Sequence, residues 1–215
     1  MPKPMFVWSG SAWVSVASEV ESLANFATQS YADNQPGMKL IVPTSVAVGS
    51  GTASIATSGT VTFSGCSSVS LNGVFSSTYD VYKILIPAVG DGNSLQFRMR
   101  ASGTNETGSI YSYSNAFITS DSGTQAADKA ELGSLIDFRE FGNGSVSIEI
   151  FKPFLSLYTS MNWVNAVGRT SGGGRNRTRQ GTAIVGNTTS YDGFSIFLDT
   201  GTALTGTIQV YGYKE

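Results

Sequence analysis

The chain has 215 residues, of which 40% are hydrophobic, 11% aromatic and only 13% charged, with 25 glycines and a formal net charge of −2. It is too apolar and aromatic to be disordered and long enough to close a core, while its near-neutral charge argues against a general nucleic-acid binder and carries no membrane-surface signal. Histidine is absent, which removes Ser–His and Cys–His nucleophile pairs, imidazole general bases and the commonest zinc ligand.

The opening stretch FVWSGSAWVSV, residues 6–16, sets two tryptophans on either side of a Ser-Gly-Ser turn. This predicts a hairpin with Trp8 and Trp13 on neighbouring or paired positions. So small a hairpin does not bury both rings, and another surface must cover them. Residues 18–37 open on a capping box, Ser18 with Glu21, and stop at Asn34-Gln35-Pro36-Gly37. Between these ends Val20, Leu23, Ala24, Ala27 and Tyr31 recur at helical spacing, which predicts a short amphipathic helix. A helix of that length is marginal alone. Residues 1–37 therefore read as an attachment and oligomerisation segment, with Trp8, Trp13, Val20, Leu23, Ala27 and Tyr31 as its assembly interface.

Residues 38–215 read as one β domain. Strand candidates such as TVTFSG, VYKILIPAV, SLQFRMRASG, SVSIEIFKPF and GTIQVYGYK recur about every ten residues, separated by polar, glycine-bearing turns. Leu95, Phe97 and Met99 alternate with Gln96, Arg98 and Arg100, as in a strand with one buried face. The fold class expected is all-β: a jelly-roll-like antiparallel β-sandwich preceded by a short N-terminal hairpin and amphipathic helix. The stretch 127–138, ADKAELGSLIDF, is ambiguous and is compatible with one helical turn inside a connection.

Little in this domain suggests chemistry. Cys66 stands alone, so neither an intrachain disulfide nor a thiolate metal site is expected, and it reads as a small buried residue. Asp80, Asp91, Asp121, Asp192 and Asp199 each sit beside turn residues and read as turn formers rather than a catalytic pair. No catalytic residue, metal-ligand set or cofactor is expected. Tyr111, Tyr113 and Trp163 fall in strand-like stretches and read as core or interface. Arg169, Arg175, Arg177 and Arg179 lie among glycines between two strand candidates and read as an exposed loop. Of these, Arg175, Arg177 and Arg179 are the candidate binding residues for an acidic partner. No aromatics interleave with them, as a nucleic-acid groove would require.

No run approaches the roughly 18 apolar residues of a membrane span, and the first residues lack the apolar core of an export signal. Membrane insertion is not expected, and synthesis in a cytoplasm is.

The stretches GMKLIVPTSVAVGSGTASI, TVTFSGCSSVSLNGVFSSTYDVYKILI, LQFRMRASGTNETGSIYSYS and the terminal YDGFSIFLDTGTALTGTIQVYGYK resemble the β-rich domain of small tailed-bacteriophage virion proteins, of the fibre and tail-tip type especially. The resemblance runs over residues 38–213. The Trp-x-Gly-x-x-Trp opening is similar to the attachment modules that begin phage fibre proteins. It implies a non-enzymatic virion protein, made in the host cytoplasm, that presents a β-sandwich for recognition of a host-surface glycan. It further implies a homotrimer that joins other virion proteins through its N-terminal segment. Capsid decoration without a ligand, or carboxylate-dependent depolymerisation of a polysaccharide, are the alternatives.

Overall fold

Alternation of apolar and polar residues at a period of two favours strands along this chain. The computed structural model describes residues 6–8, 10–15, 37–89, 95–119, 123–132, 135–138, 143–168, 176–199 and 203–214, and every regular element among them is a β-strand. In chain order these are β1 (Phe6–Trp8), β2 (Trp13–Ser15), β3 (Gly37–Leu40), β4 (Ser45–Val48), β5 (Thr52–Ile55) and β6 (Val61–Cys66). There follow β7 (Ser68–Asn72), β8 (Val81–Val89), β9 (Leu95–Ala101), β10 (Thr104–Asn105), β11 (Tyr111–Thr119) and β12 (Gly123–Leu132). The last are β13 (Leu135–Phe138), β14 (Asn143–Phe151), β15 (Thr159–Gly168), β16 (Asn176–Val185), β17 (Gly193–Leu198) and β18 (Leu204–Lys214).

The chain divides into two compact units, residues 1–37 with 214–215, and residues 38–213. In the first, β1 and β2 form an antiparallel hairpin in which Trp8 stands directly opposite Trp13. Gly10 turns the chain between them at φ +94°, a conformation open to glycine at little cost. The ring of Trp8 is 53% exposed. The helix expected over 18–37, and with it Val20, Leu23, Ala27 and Tyr31, lies outside the described residues.

In the second unit the strands form two antiparallel sheets. One runs β10-β9-β17-β7-β4, with β13 also on β9; the other runs β12-β11-β16-β15-β14-β8-β18-β6-β5, with β3 also on β18. Their inner faces share one core. Leu95, Phe97 and Met99 of β9 and Phe194 and Ile196 of β17 belong to it from one side, and Ile84, Ile86, Ile148 and Val210 from the other. Phe75 touches both sheets: its ring meets Tyr82 of β8 edge-on at 4.8 Å and tilts against Phe194 of β17 at 6.0 Å. Phe194 in turn stacks on Phe97 at 5.1 Å. Cys66 is buried in the same core, as expected, and so are Tyr111, Tyr113 and Trp163.

The expected all-β class and antiparallel pairing hold, with one local difference. Of residues 127–138, the described ones, 127–132 and 135–138, lie on β12 and β13 rather than in a helical turn. The sequence TQAADKAEL is rich in helix formers, but β12 pairs with β11 from Tyr111↔Leu132 to Thr119↔Gly123. A full ladder along a ready edge outweighs a propensity of a few tenths of a kcal/mol per residue.

Three buried tyrosines pin the connections to this frame. Tyr82 Oη donates to the Ser76 carbonyl and accepts from the Ser76 N–H, each at 2.8 Å. Tyr111 Oη donates to the Glu106 carbonyl at 3.0 Å and accepts from Met99 N–H at 3.1 Å. Tyr191 Oη donates to Asn187 Oδ1 at 2.8 Å. Burial pushes all three phenols above their usual range, Tyr191 up to about 12.

On the outer face of the smaller sheet, Arg100 of β9 is buried to 8% exposure. Its Nε donates to Asn72 Oδ1 at 3.0 Å, and one terminal nitrogen reaches Ser195 Oγ at 3.1 Å, Ser70 Oγ at 3.3 Å and Asn105 Oδ1. The other terminal nitrogen donates to the Gly103 carbonyl. Burial lowers its pKa, against the opposing pull of the Asp192 carboxylate, yet a guanidinium remains charged throughout the ordinary pH range.

Candidate functional site

The strands of the larger sheet turn successive side chains alternately inward and outward, and many of the outward ones are polar. On β15, Met161, Trp163 and Asn165 are buried while Asn162 and Val164 are exposed. Residues paired across an antiparallel ladder share a face, so the register converts this alternation into rows that run across the sheet. One outward row reads Ser114 (β11), Thr182 (β16), Asn162 (β15), Glu149 (β14) and Lys83 (β8). The row beside it reads Ala116, Gln180, Val164, Ser147 and Leu85 on the same strands.

These rows line a groove of about 560 Å³ on the outer face, bounded by Lys83, Glu149, Asn162, Thr182, Ser114, Gln180 and Val164 among others. The strands that form it are nine or ten residues long. Strands of that length twist and coil, and coiling hollows one face of a sheet. Gly181 shapes the floor. A Cβ there would lie 2.7 Å from Trp163 Cζ2 and 2.5 Å from the Ser114 carbonyl, so only glycine lets the strands and the indole approach this closely.

The groove is electrically balanced. Lys83 Nζ lies 3.5 Å from Glu149 Oε1, and the two side chains are 30% and 38% exposed. A pair this wet adds less than about 1 kcal/mol to folding. Around it stand hydroxyls and amides that both donate and accept, while Lys83 only donates and Glu149 only accepts. Val164, 48% exposed, and Ala116 add a small apolar strip. Such a lining can hold a polar, hydroxyl-rich ligand with an apolar face. Glu149 is the one carboxylate among the described residues of the groove, and a two-carboxylate hydrolysis needs a facing partner. Among the described residues no group of three or more His, Cys, Asp or Glu is placed to hold a metal ion.

Of the residues singled out in the sequence, Trp163 lines the groove, while the arginines and aspartates do not belong to its described lining. The expected exposed arginine loop is corrected in part: Arg177 and Arg179 belong to β16, and Arg179 is 6% exposed. The strand begins at Asn176, and its period then places Arg179 on the same inward face as Ala183 and Val185, opposite Asn165 of β15. Arg175 lies outside the described residues. Of the aspartates, Asp80 and Asp199 are exposed, Asp192 Oδ2 accepts from the Ser102 N–H at 3.2 Å, and Asp91 and Asp121 lie outside the described residues. The polar groove residues Lys83, Glu149, Asn162 and Thr182 carry no motif in the sequence. Their only signal there is the polar half of each alternating strand.

No protein-family model matches the chain, and a search of curated proteins gives no match. Among solved structures it is similar to the SPRY domain of human HERC1, at 6% identity over 69% of this chain and 93% of that one, with a TM-score of 0.28. It is also similar to a Lotus tetragonolobus seed lectin isoform, at 8% identity over 84% of this chain and 100% of that one, with a TM-score of 0.22. Neither likeness reaches the level at which a common fold is inferred.

Proposed function

We propose that the chain is a non-enzymatic structural protein of a tailed-bacteriophage virion, fibre- or tail-associated, that displays a jelly-roll-type sandwich to recognise a host-surface glycan. The virion assignment rests on the sequence resemblance over residues 38–213. The glycan assignment rests on one observation above all, the balanced polar groove around Glu149, Lys83 and Asn162. Sugars offer hydroxyls that donate and accept, and ring faces that are apolar, which matches this lining. The groove is shallow and its polar groups are wet, so a single site binds weakly, with Kd on the order of 0.1–1 mM.

The test uses immobilised bacterial surface polysaccharides. Wild type is expected to be retained by at least one, and Asn162→Ala and Glu149→Ala each to weaken retention about tenfold, with Tm unchanged because the groove contributes little to stability. Retention that both substitutions leave intact would place recognition elsewhere.

Weak sites call for several copies. In the same reading the N-terminal unit, hairpin and short helix together, joins three chains and docks them to other virion proteins. The half-exposed Trp8, paired with Trp13 across β1 and β2, favours this. Covering most of one indole is worth on the order of 2–3 kcal/mol. Light scattering is expected to give a mass near three times the 22.6 kDa of one chain. A stable single-chain mass refutes the trimer.

A further inference from the structure

The outward row does not end at Lys83. The next strand is β18, where Tyr211 pairs with Lys83 on the same face and is half-buried. An aromatic ring thus follows Lys83 in a line of hydrogen-bonding groups that runs at right angles to the strands. Beside this line the second row carries Ala116, Val164 and Leu85 between its polar members. The face is therefore striped across the strands, one stripe polar and its neighbour partly apolar.

Three features of this striping identify the ligand. The stripe is long: from β11 to β8 there are four inter-strand steps of about 4.8 Å, roughly 19 Å in all, the length of about four pyranose units, and Tyr211 adds one step more. The groove-lining residues all belong to strands, and none of the described loops is among them, which suits an internal stretch of a chain rather than its terminus. Among the described residues of the groove the two charged side chains, Lys83 and Glu149, are opposite and adjacent, so there a polyanion meets Glu149 and a polycation meets Lys83 with no surplus charge to offset the repulsion.

Resting on the glycan reading above, we propose that the groove binds an internal stretch of an extended, uncharged glycan chain laid across the strands, with Tyr211 as a stacking platform for the sugar ring at one end. Hydroxyls along one edge of the chain meet the polar row. The C–H faces of the rings lie over Val164 and its neighbours, and the terminal ring stacks on the phenol.

Calorimetric titration with malto-, cello-, xylo- and β-1,3-gluco-oligosaccharides, each from monosaccharide to hexasaccharide, tests this beside oligogalacturonate and chitosan oligomers. Affinity for one neutral series is expected to climb with each added unit, level off at about the pentasaccharide, and ignore added salt. Tyr211→Ala is expected to weaken the pentasaccharide about fivefold while leaving the trisaccharide unchanged, whereas Glu149→Gln weakens every length. Affinity that saturates at the monosaccharide, or a preference for the charged oligomers that salt suppresses, overturns the inference but leaves glycan recognition standing. The same holds if immobilised polysaccharide is retained and no neutral series binds. Failure of every oligosaccharide and every immobilised polysaccharide overturns the recognition reading itself.

Discussion

Above pH 10 the protein is expected to lose stability steadily as pH rises, with the buried phenols of Tyr82, Tyr111 and Tyr191 as the cause. Each phenol is fully buried, and each donates its proton to an oxygen acceptor, so the folded state holds that proton more tightly than the unfolded chain does. The unfolded chain releases it near pH 10, the ordinary tyrosine value, while Tyr191 in the fold holds it to about 12. The stabilisation is thus complete below pH 10 and is lost as pH rises toward the folded values. Linkage sets the loss at up to about 1.4 kcal/mol per pH unit for a tyrosine that keeps its proton in the fold and has lost it in the unfolded chain. A loss of a few kcal/mol is a large fraction of the roughly 5–15 kcal/mol that holds a domain together. Tyrosinate absorbance and the far-ultraviolet sheet signal, followed together against pH, should change in one step. Reversible titration of all the tyrosines near pH 10 with the sheet intact would refute this. Tyr111→Phe costs about 1 kcal/mol at neutral pH through its two lost hydrogen bonds, and it should make the alkaline slope shallower.

Arg100→Met is expected to cost about 3 kcal/mol, read as a drop in denaturant midpoint with an unchanged slope. The guanidinium gathers Asn72, Ser70, Ser195, Asn105 and the Gly103 carbonyl, all neutral, into one cluster at the edge of the smaller sheet. Part of this survives its removal, since Ser195 Oγ donates to Asn105 Oδ1 at 2.7 Å and lies 2.7 Å from Ser70 Oγ. Asn72 Oδ1 and the Gly103 carbonyl lose their arginine donors. Arg100→Lys recovers little, because a point ammonium does not reproduce the planar fork. The neighbouring Arg98 provides the control. Its guanidinium lies 4.5 Å from the centroid of the Phe197 ring on a half-buried surface, so Arg98→Met should cost no more than about 1 kcal/mol. Equal losses at the two positions would show that the Arg100 cluster adds nothing beyond packing.

Arg179 and Arg100 show how far sequence reading reaches. At Arg100 the surrounding alternation of Leu95, Phe97 and Met99 names the strand and even the outward face, but not that three neighbouring segments close over the side chain. At Arg179 the local pattern is worse than silent, because SGGGRNRTRQG contains no apolar residue from which a period can be read. The ladder with β15 extends the strand back to Asn176 regardless, and parity then places the arginine inside. Residues 127–138 fail for the related reason that helix propensity is local and the β11 edge is not.

What the sequence determines by itself is whatever repeats within a few residues. The two-residue period of the long strands makes the chain all-β, the flanking turns space the strands, and the Ser-Gly-Ser turn sets Trp8 against Trp13. The absence of histidine removes whole classes of chemistry without any structure. The groove belongs to the other category. Its row joins Lys83, Ser114, Glu149, Asn162 and Thr182, residues that share no sequence neighbourhood and meet only through the register of five paired strands. A slip of one residue in any ladder would turn that strand's member of the row into the core. Strand identity is written in local alternation, but register is set by the fit of the buried side chains across the whole sheet, so the tertiary structure alone decides which polar side chains stand together.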